Sequence, residues 1–149
     1  MKIEEEIKQQ KFKSPLQKVA INLQFTANWL ITNSNNFFKE FGVTMQQFNI
    51  LRILRGQREK SISAAEIKLR MLDRNSDVSR LLDRLIDKSL VTKSQCPSDK
   101  RATDVKITES GLKLLSQIDL RLEEIEAKIL NLTAKEANEL SDLLDKCRG

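Results

Sequence analysis

The sequence predicts a mainly α fold: a winged helix-turn-helix with a small β-hairpin wing, flanked by N- and C-terminal dimerisation helices. Three observations carry that prediction. Residues 76–87 place apolar side chains at helical spacing shortly after a short capped helix. Two alternating segments, Leu90–Gln95 and Thr103–Ile107, follow and are joined by a polar connection. Long amphipathic stripes stand on both sides of this middle block.

Taken in chain order, Met1–Lys13 is charged and is expected to fray. Ser14 and Pro15 read as N-cap and first helical position, because a proline there loses no N–H that the helix would use. Leu16, Val19, Ala20, Leu23, Ala27 and Leu30 recur at helical spacing, so a long helix is expected to about Glu40. Phe37, Phe38 and Phe41 fall near its end and Gly42 is its stop. Thr44 to Gln47 fits a capping box, opening a helix that buries Phe48, Leu51 and Leu54 and closes near Gly56. Ser63 to Glu66 is a second box, opening a short helix with Ile67 and Met71 inward.

After a brief turn, Val78, Leu81, Leu82, Leu85 and Ile86 form the buried face of the next helix. The connection Cys96–Ala102 exceeds a tight hairpin turn and so can project. Thr108–Gly111 starts another helix, whose Leu115, Ile118, Leu122, Ile125, Ile129 and Leu132 alternate in steps of three and four, a heptad seam. Thr133 to Glu136 is a third capping box, and the last helix sets Ala137, Leu140, Leu144 and Cys147 on one face. The expected divisions are a flexible N-terminus (1–13), an N-terminal dimerisation helix (14–42), a winged helix-turn-helix DNA-binding domain (43–110) and C-terminal dimerisation helices (111–149). The outer stripes exceed what one small domain covers, whereas a symmetric dimer would cover them.

Composition narrows the function classes. The chain has 149 residues, 40% hydrophobic and 32% charged, which suits a folded domain with an added oligomerisation element. Its net charge of +5 favours a polyanionic partner. Residues 70–106 hold nine Lys/Arg against six Asp/Glu, residues 1–60 ten against five, and residues 111–149 six against eight. The C-terminal part is therefore not the nucleic-acid surface. Met1–Lys13 lacks the apolar core of a secretory signal, and no apolar run approaches the roughly 20 residues of a membrane span, so a cytoplasmic protein with no membrane partner is expected. Two cysteines and no histidine exclude a usual Cys/His zinc site and a disulfide framework. Neither metal nor cofactor is expected. With no catalytic histidine and no glycine-rich phosphate loop, an enzyme is not expected either.

A helix beside a basic β-ribbon fits double-stranded DNA: the helix fills the major groove, about 12 Å wide, and the wing reaches the minor groove. The candidate DNA-binding residues are Asn75, Ser76, Ser79, Arg80 and Arg84 on the helix and Asp99, Lys100 and Arg101 at the wing tip. The small polar first turn lets the helix approach base edges, and Arg80 and Arg84 share a face. Arg84 has the alternative of pairing with Asp83 or Asp87 or of holding a phosphate. Asp77 reads as compensation for the helix N-terminal charge rather than as a cytosine contact. Arg101 suits the negative minor groove, steadied by Asp99, with Lys100 on phosphate. The ordinary alternatives are a solvated helix face and a mobile hairpin loop. Phe25, Trp29 and Phe48 read as core packing, with a small-effector pocket as the alternative. Cys96 reads as a small half-buried residue, with a thiol redox switch as the alternative. A protein-interaction module using the same face on an acidic partner also stays open.

The run Glu66-Ile67, Ser79-Arg80-Leu81-Leu82-Asp83-Arg84-Leu85, Leu90-Val91, Asp99-Lys100-Arg101 and Thr108–Gly111 resembles the MarR family of winged-helix transcription regulators over nearly the whole chain, from about Ser14 to Arg148. Three departures stand out: Ser89 occupies a position where glycine is usual, Ile107 replaces a common leucine, and Met71–Asn75 lacks the usual small turn residue. The resemblance implies a homodimer with interlocked terminal helices that binds a pseudo-palindromic operator, usually as a repressor. It also implies release by a small phenolic or other lipophilic effector bound near Trp29 and Phe48, or, in some members, a response to cysteine oxidation.

Overall fold

The computed structural model describes residues 1–57, 60–95 and 103–149, without the side chains of Gln95 and Thr103. It divides into two compact units, Met1–Met45 and Gln46–Gly149.

The first unit holds α1 (Ile3–Glu6) and α2 (Pro15–Lys39). The N-terminal residues, expected to fray, form one helical turn instead. Three glutamates in that turn complement the positive helix N-terminus, Ile3 is buried, and Lys18 pairs with Glu4. The Ser14 side chain caps α2 by accepting from the Gln17 N–H at 3.1 Å, with Pro15 at the first helical position. Gly42 at φ 69° ends the helix region: its N–H donates to the Lys39 carbonyl, and the Val43 N–H reaches back to Phe38. Phe37, Phe38 and Val43 are buried, whereas Leu16, Val19, Leu23 and Ile31 remain exposed along α2.

The second unit runs α3 (Met45–Gly56, from Gln46), β1 (Ile62–Ser63), α4 (Ala64–Arg70), α5 (Val78–Asp87), β2 (Val91–Gln95), β3 (Thr103–Ile107), α6 (Glu109–Leu130) and α7 (Ala134–Arg148). Ile50, Leu51, Leu54, Ile67, Leu85, Val105, Leu115 and Ile118 are at most 1% exposed and form its centre. The sheet order is β1-β3-β2, both pairings antiparallel, with Val91 opposite Ile107 and Gln95 opposite Thr103. The strand β1 was not anticipated. It is two residues long and pairs Ile62 with Val105, a partner too remote in sequence for any local pattern to reveal. Ser63 then ends β1 and caps α4 in a reciprocal box with Glu66.

The junction from α5 to α6 is closely built. Ser89 takes the left-handed conformation at φ 56°, its N–H donates to Ile86, and the Leu90 N–H donates to Leu85. This is a Schellman ending made without glycine. Thr108 bridges the two helices: its hydroxyl donates to the Ser89 carbonyl at 2.8 Å and accepts from the Gly111 N–H at 3.1 Å. A Cβ on Gly111 would stand 2.4 Å from the Leu90 carbonyl oxygen, so the chain at this crossing tolerates only glycine without moving.

The heptad seam does not all lie on α6. Asn131 turns left-handed at φ 48°, so the helix stops at Leu130 and Leu132 falls beyond it. Leu115 and Ile118 are buried, Leu122, Ile125 and Ile129 half-buried, and α7 has no buried residue.

Candidate nucleic-acid interface

The helix-turn-helix is built by α4, residues 71–77 and α5. Asp77 is the N-cap of α5, its carboxylate accepting from the Arg80 N–H at 3.1 Å, which puts its negative charge at the helix N-terminus. Val78, Leu81, Leu82 and Leu85 turn inward. Ser79, Arg80, Asp83 and Arg84 are exposed on the opposite side.

Among the described residues neither Arg80 nor Arg84 has a carboxylate within ion-pair distance, so Arg84 does not pair with Asp83 or Asp87. The nearby acids at the turn are already engaged. Asp73 accepts from the Asn75 N–H at 3.0 Å, from the Ser76 hydroxyl at 3.0 Å and from Gln46 Nε2 at 3.0 Å. These hydrogen bonds, the Asn75 N–H first, hold its carboxyl below the ordinary value. The exposed cations therefore face solvent with two of the neighbouring carboxylates tied to N–H and hydroxyl donors.

Ser76 requires a correction. It is 6% exposed and its hydroxyl lies between Asp73 and Gln46, so it is buried at the floor of the turn rather than projecting from an outer helical face. It precedes the helix, which starts at Val78, and so does not belong to the helical face on which the sequence reading placed it. Asn75 is exposed and stays on the outer side, and Lys68 of α4 shares with it an open cleft also lined by Ala64, Ala65, Asp77 and Ser79. Lys68 was missed because its outward position appears only once α4 and the start of α5 are placed together.

Asp99, Lys100 and Arg101, as well as Cys96, lie outside the described residues. The strands leading to that connection are described, and Thr92, Lys93, Ser94 and Lys106 are exposed on them. Phe25 and Trp29 are half-buried one turn apart on α2. Phe48 is buried in the second unit, where the Arg52 guanidinium sits 5.7 Å from its ring centre. Cys147 is an exposed free thiol on α7. Among the described residues, no group of three potential ligands is placed to hold a metal ion, and no helix is long and apolar enough to cross a membrane.

The architecture is shared widely among solved structures. A mutant MarR from E. coli complexed with operator DNA is 26% identical, covers 93% of this chain and 99% of its own, and superposes with a TM-score of 0.78. The MepR–DNA complex of S. aureus, 20% identical over 86% of this chain and 94% of its own, with a TM-score of 0.75, shares the fold. The family model for the MarR family matches residues 43–103, the stretch from the start of α3 to the start of β3. A MarR transcription factor from Planctomyces limnophilus is 30% identical, covering 91% of this chain and 98% of its own at a TM-score of 0.72. The chain belongs to the MarR family of winged-helix transcription regulators.

Proposed function

We propose that this regulator reads DNA by sequence, with α5 in the major groove and the β2–β3 wing over the flanking minor groove. The observation that carries this reading is the outer face of α5, where Arg80 and Arg84 project without a carboxylate partner beside Ser79 and Asn75. A solved MarR bound to operator DNA supports the same use of the fold. Ser79 and Arg80 face base edges, Arg84 and Lys68 face phosphate, and at the wing Arg101 enters the minor groove beside Asp99 while Lys100 meets phosphate.

The working unit is a homodimer on a pseudo-palindromic operator. Its support is the exposed apolar surface of the outer helices: Leu140 is 43% and Leu143 60% exposed on α7, and Leu23 is 37% exposed on α2. The divisions follow: residues 43–110 read DNA, while 14–42 and 111–149 pair the subunits. The reading extends to repression relieved by a small lipophilic or phenolic effector near Phe25 and Trp29. Trp29 is the single tryptophan, so its fluorescence reports such a ligand directly. A panel of small phenolic acids that neither quenches Trp29 nor weakens DNA binding removes the effector from the account.

Fluorescence anisotropy tests the DNA reading, using a duplex enriched from a random library and a scrambled duplex of equal length. Arg80→Ala is expected to lose about 1–3 kcal/mol of preference between them. Lys100→Ala is expected to weaken both and to lower the salt slope by about one unit. Equal preference in wild type and Arg80→Ala would remove α5 as the reader.

A further inference from the structure

We infer that Gln46 and Asp73 form a clamp that sets the entry of α5 into the groove, making them positioning residues for base recognition. The inference rests on the DNA reading above and concerns groups that touch no base themselves.

The turn between α4 and α5 lacks the small residue that usually eases such a bend: Met71-Leu72-Asp73-Arg74-Asn75 contains no glycine. Side chains hold it instead. The Asp73 carbonyl accepts from the Ser76 N–H at 3.2 Å, and its carboxylate takes the Asn75 N–H and the Ser76 hydroxyl. That arrangement shapes the turn locally. It does not fix where the turn sits against the rest of the unit.

Two side chains on one face of α3 do that. Gln46 Nε2 donates to Asp73 Oδ2 at 3.0 Å and to the Ser76 oxygen at 3.2 Å, closing a triangle of three side chains. Asn49, three residues on, donates through Nδ2 to the Met71 sulfur at 3.6 Å. The two ends of the 71–76 turn are thereby pinned to the first turns of α3, across 22 to 30 residues of sequence. The next residue after the pinned Ser76 is the N-cap of α5, Asp77, and Arg80 lies one turn further on. Released from α3, the turn shifts, and the α5 N-terminus shifts with it. Direct base contacts require groups held to within about half an ångström, whereas phosphate contacts by long cations tolerate such shifts. The clamp therefore governs preference between sequences more than overall affinity.

A double-mutant cycle on the full-length protein tests this, read by anisotropy on the library-selected duplex and on its scrambled counterpart at one salt concentration. Gln46→Glu sets two carboxylates against each other at the clamp. It is expected to lower the ratio of affinities by about tenfold, the equivalent of one good base contact, with little change on the scrambled duplex. Asp73→Asn in the Gln46→Glu background restores a donor facing an acceptor, so the pair should recover most of the ratio. Thermal unfolding of each variant is followed alongside, and a mere loss of folding lowers affinity for both duplexes together. If wild type discriminates and Gln46→Glu discriminates equally, or the double variant recovers nothing, the clamp is overturned. If wild type itself does not discriminate, the DNA reading falls and the clamp with it.

Discussion

In α5, Val78, Leu81, Leu82 and Leu85 are between 0% and 8% exposed, while in α7 no residue is buried although it too carries an apolar side. Both helices are capped at their N-termini, by Asp77 and Thr133. The difference lies in what meets the apolar stripe. The stripe of α5 finds α4 and the sheet within its own unit. The stripe of α7, with Leu140 and Leu143 left 43% and 60% exposed, finds no such cover in a single chain. Periodicity reports that a face is apolar and is silent on what covers it. The outer faces invert the pattern: α5 offers arginines with no ion pair among the described residues, whereas the segment from residue 111 on carries more acids than bases.

Five measurements probe this difference, in decreasing order of effect. Leu85→Ala should cost about 2–5 kcal/mol in chemical denaturation at any protein concentration, because the side chain is fully enclosed within one chain. Leu144→Ala on α7 should instead show a loss that deepens on dilution, as expected for a contact between subunits. Concentration-independent losses at both sites would erase the distinction. Gly111→Ala should cost about 1–3 kcal/mol, since its methyl group would meet the Leu90 carbonyl at 2.4 Å, and it should also disturb the aim of α5.

Ser89→Gly should act the other way and add about 0.5–1 kcal/mol, because glycine adopts the left-handed φ of 56° without strain. No gain in denaturation midpoint would mean that the strain at φ 56° does not exceed the unfolded-state entropy that glycine adds. The smallest effect is on acid stability. Glu66 and Glu136 each accept the backbone N–H and hydroxyl of their caps, Ser63 and Thr133, which holds both below the ordinary value of 4.5. A lowered folded-state value stabilises above the ordinary value and is lost as pH falls through the folded one. Stability should thus be level near neutrality and decline below about pH 4.5, with Glu136→Gln blunting the decline in α7 and Glu66→Gln blunting it in α4.

Much of this fold was legible from local chemistry. The Ser63–Glu66 and Thr133–Glu136 boxes, the Ser14-Pro15 start, the Gly42 stop and the two wing strands all depend on residues a few positions apart. The departures arise where distant residues decide. β1 exists because Ile62 meets Val105, and Ser76 is buried because Gln46 reaches it from α3. Helical-face reasoning placed Ser76 outward, but the helix begins two residues later. Leu132 fitted the heptad count, but the left-handed Asn131 ended the helix before it. Of the candidate interface, the exposed Arg80 and Arg84 were readable from spacing. Lys68 was not, because its place beside Asn75 follows from the packing of α4 on α5.

The central claim, that α5 reads one half of a two-fold site, is tested most directly by selecting bound duplexes from a random library and sequencing them. The account predicts an enriched inverted repeat, its half-sites centred about one helical turn, roughly 10 base pairs, apart. Enrichment of a single asymmetric site, or no enrichment above the starting library, would contradict it.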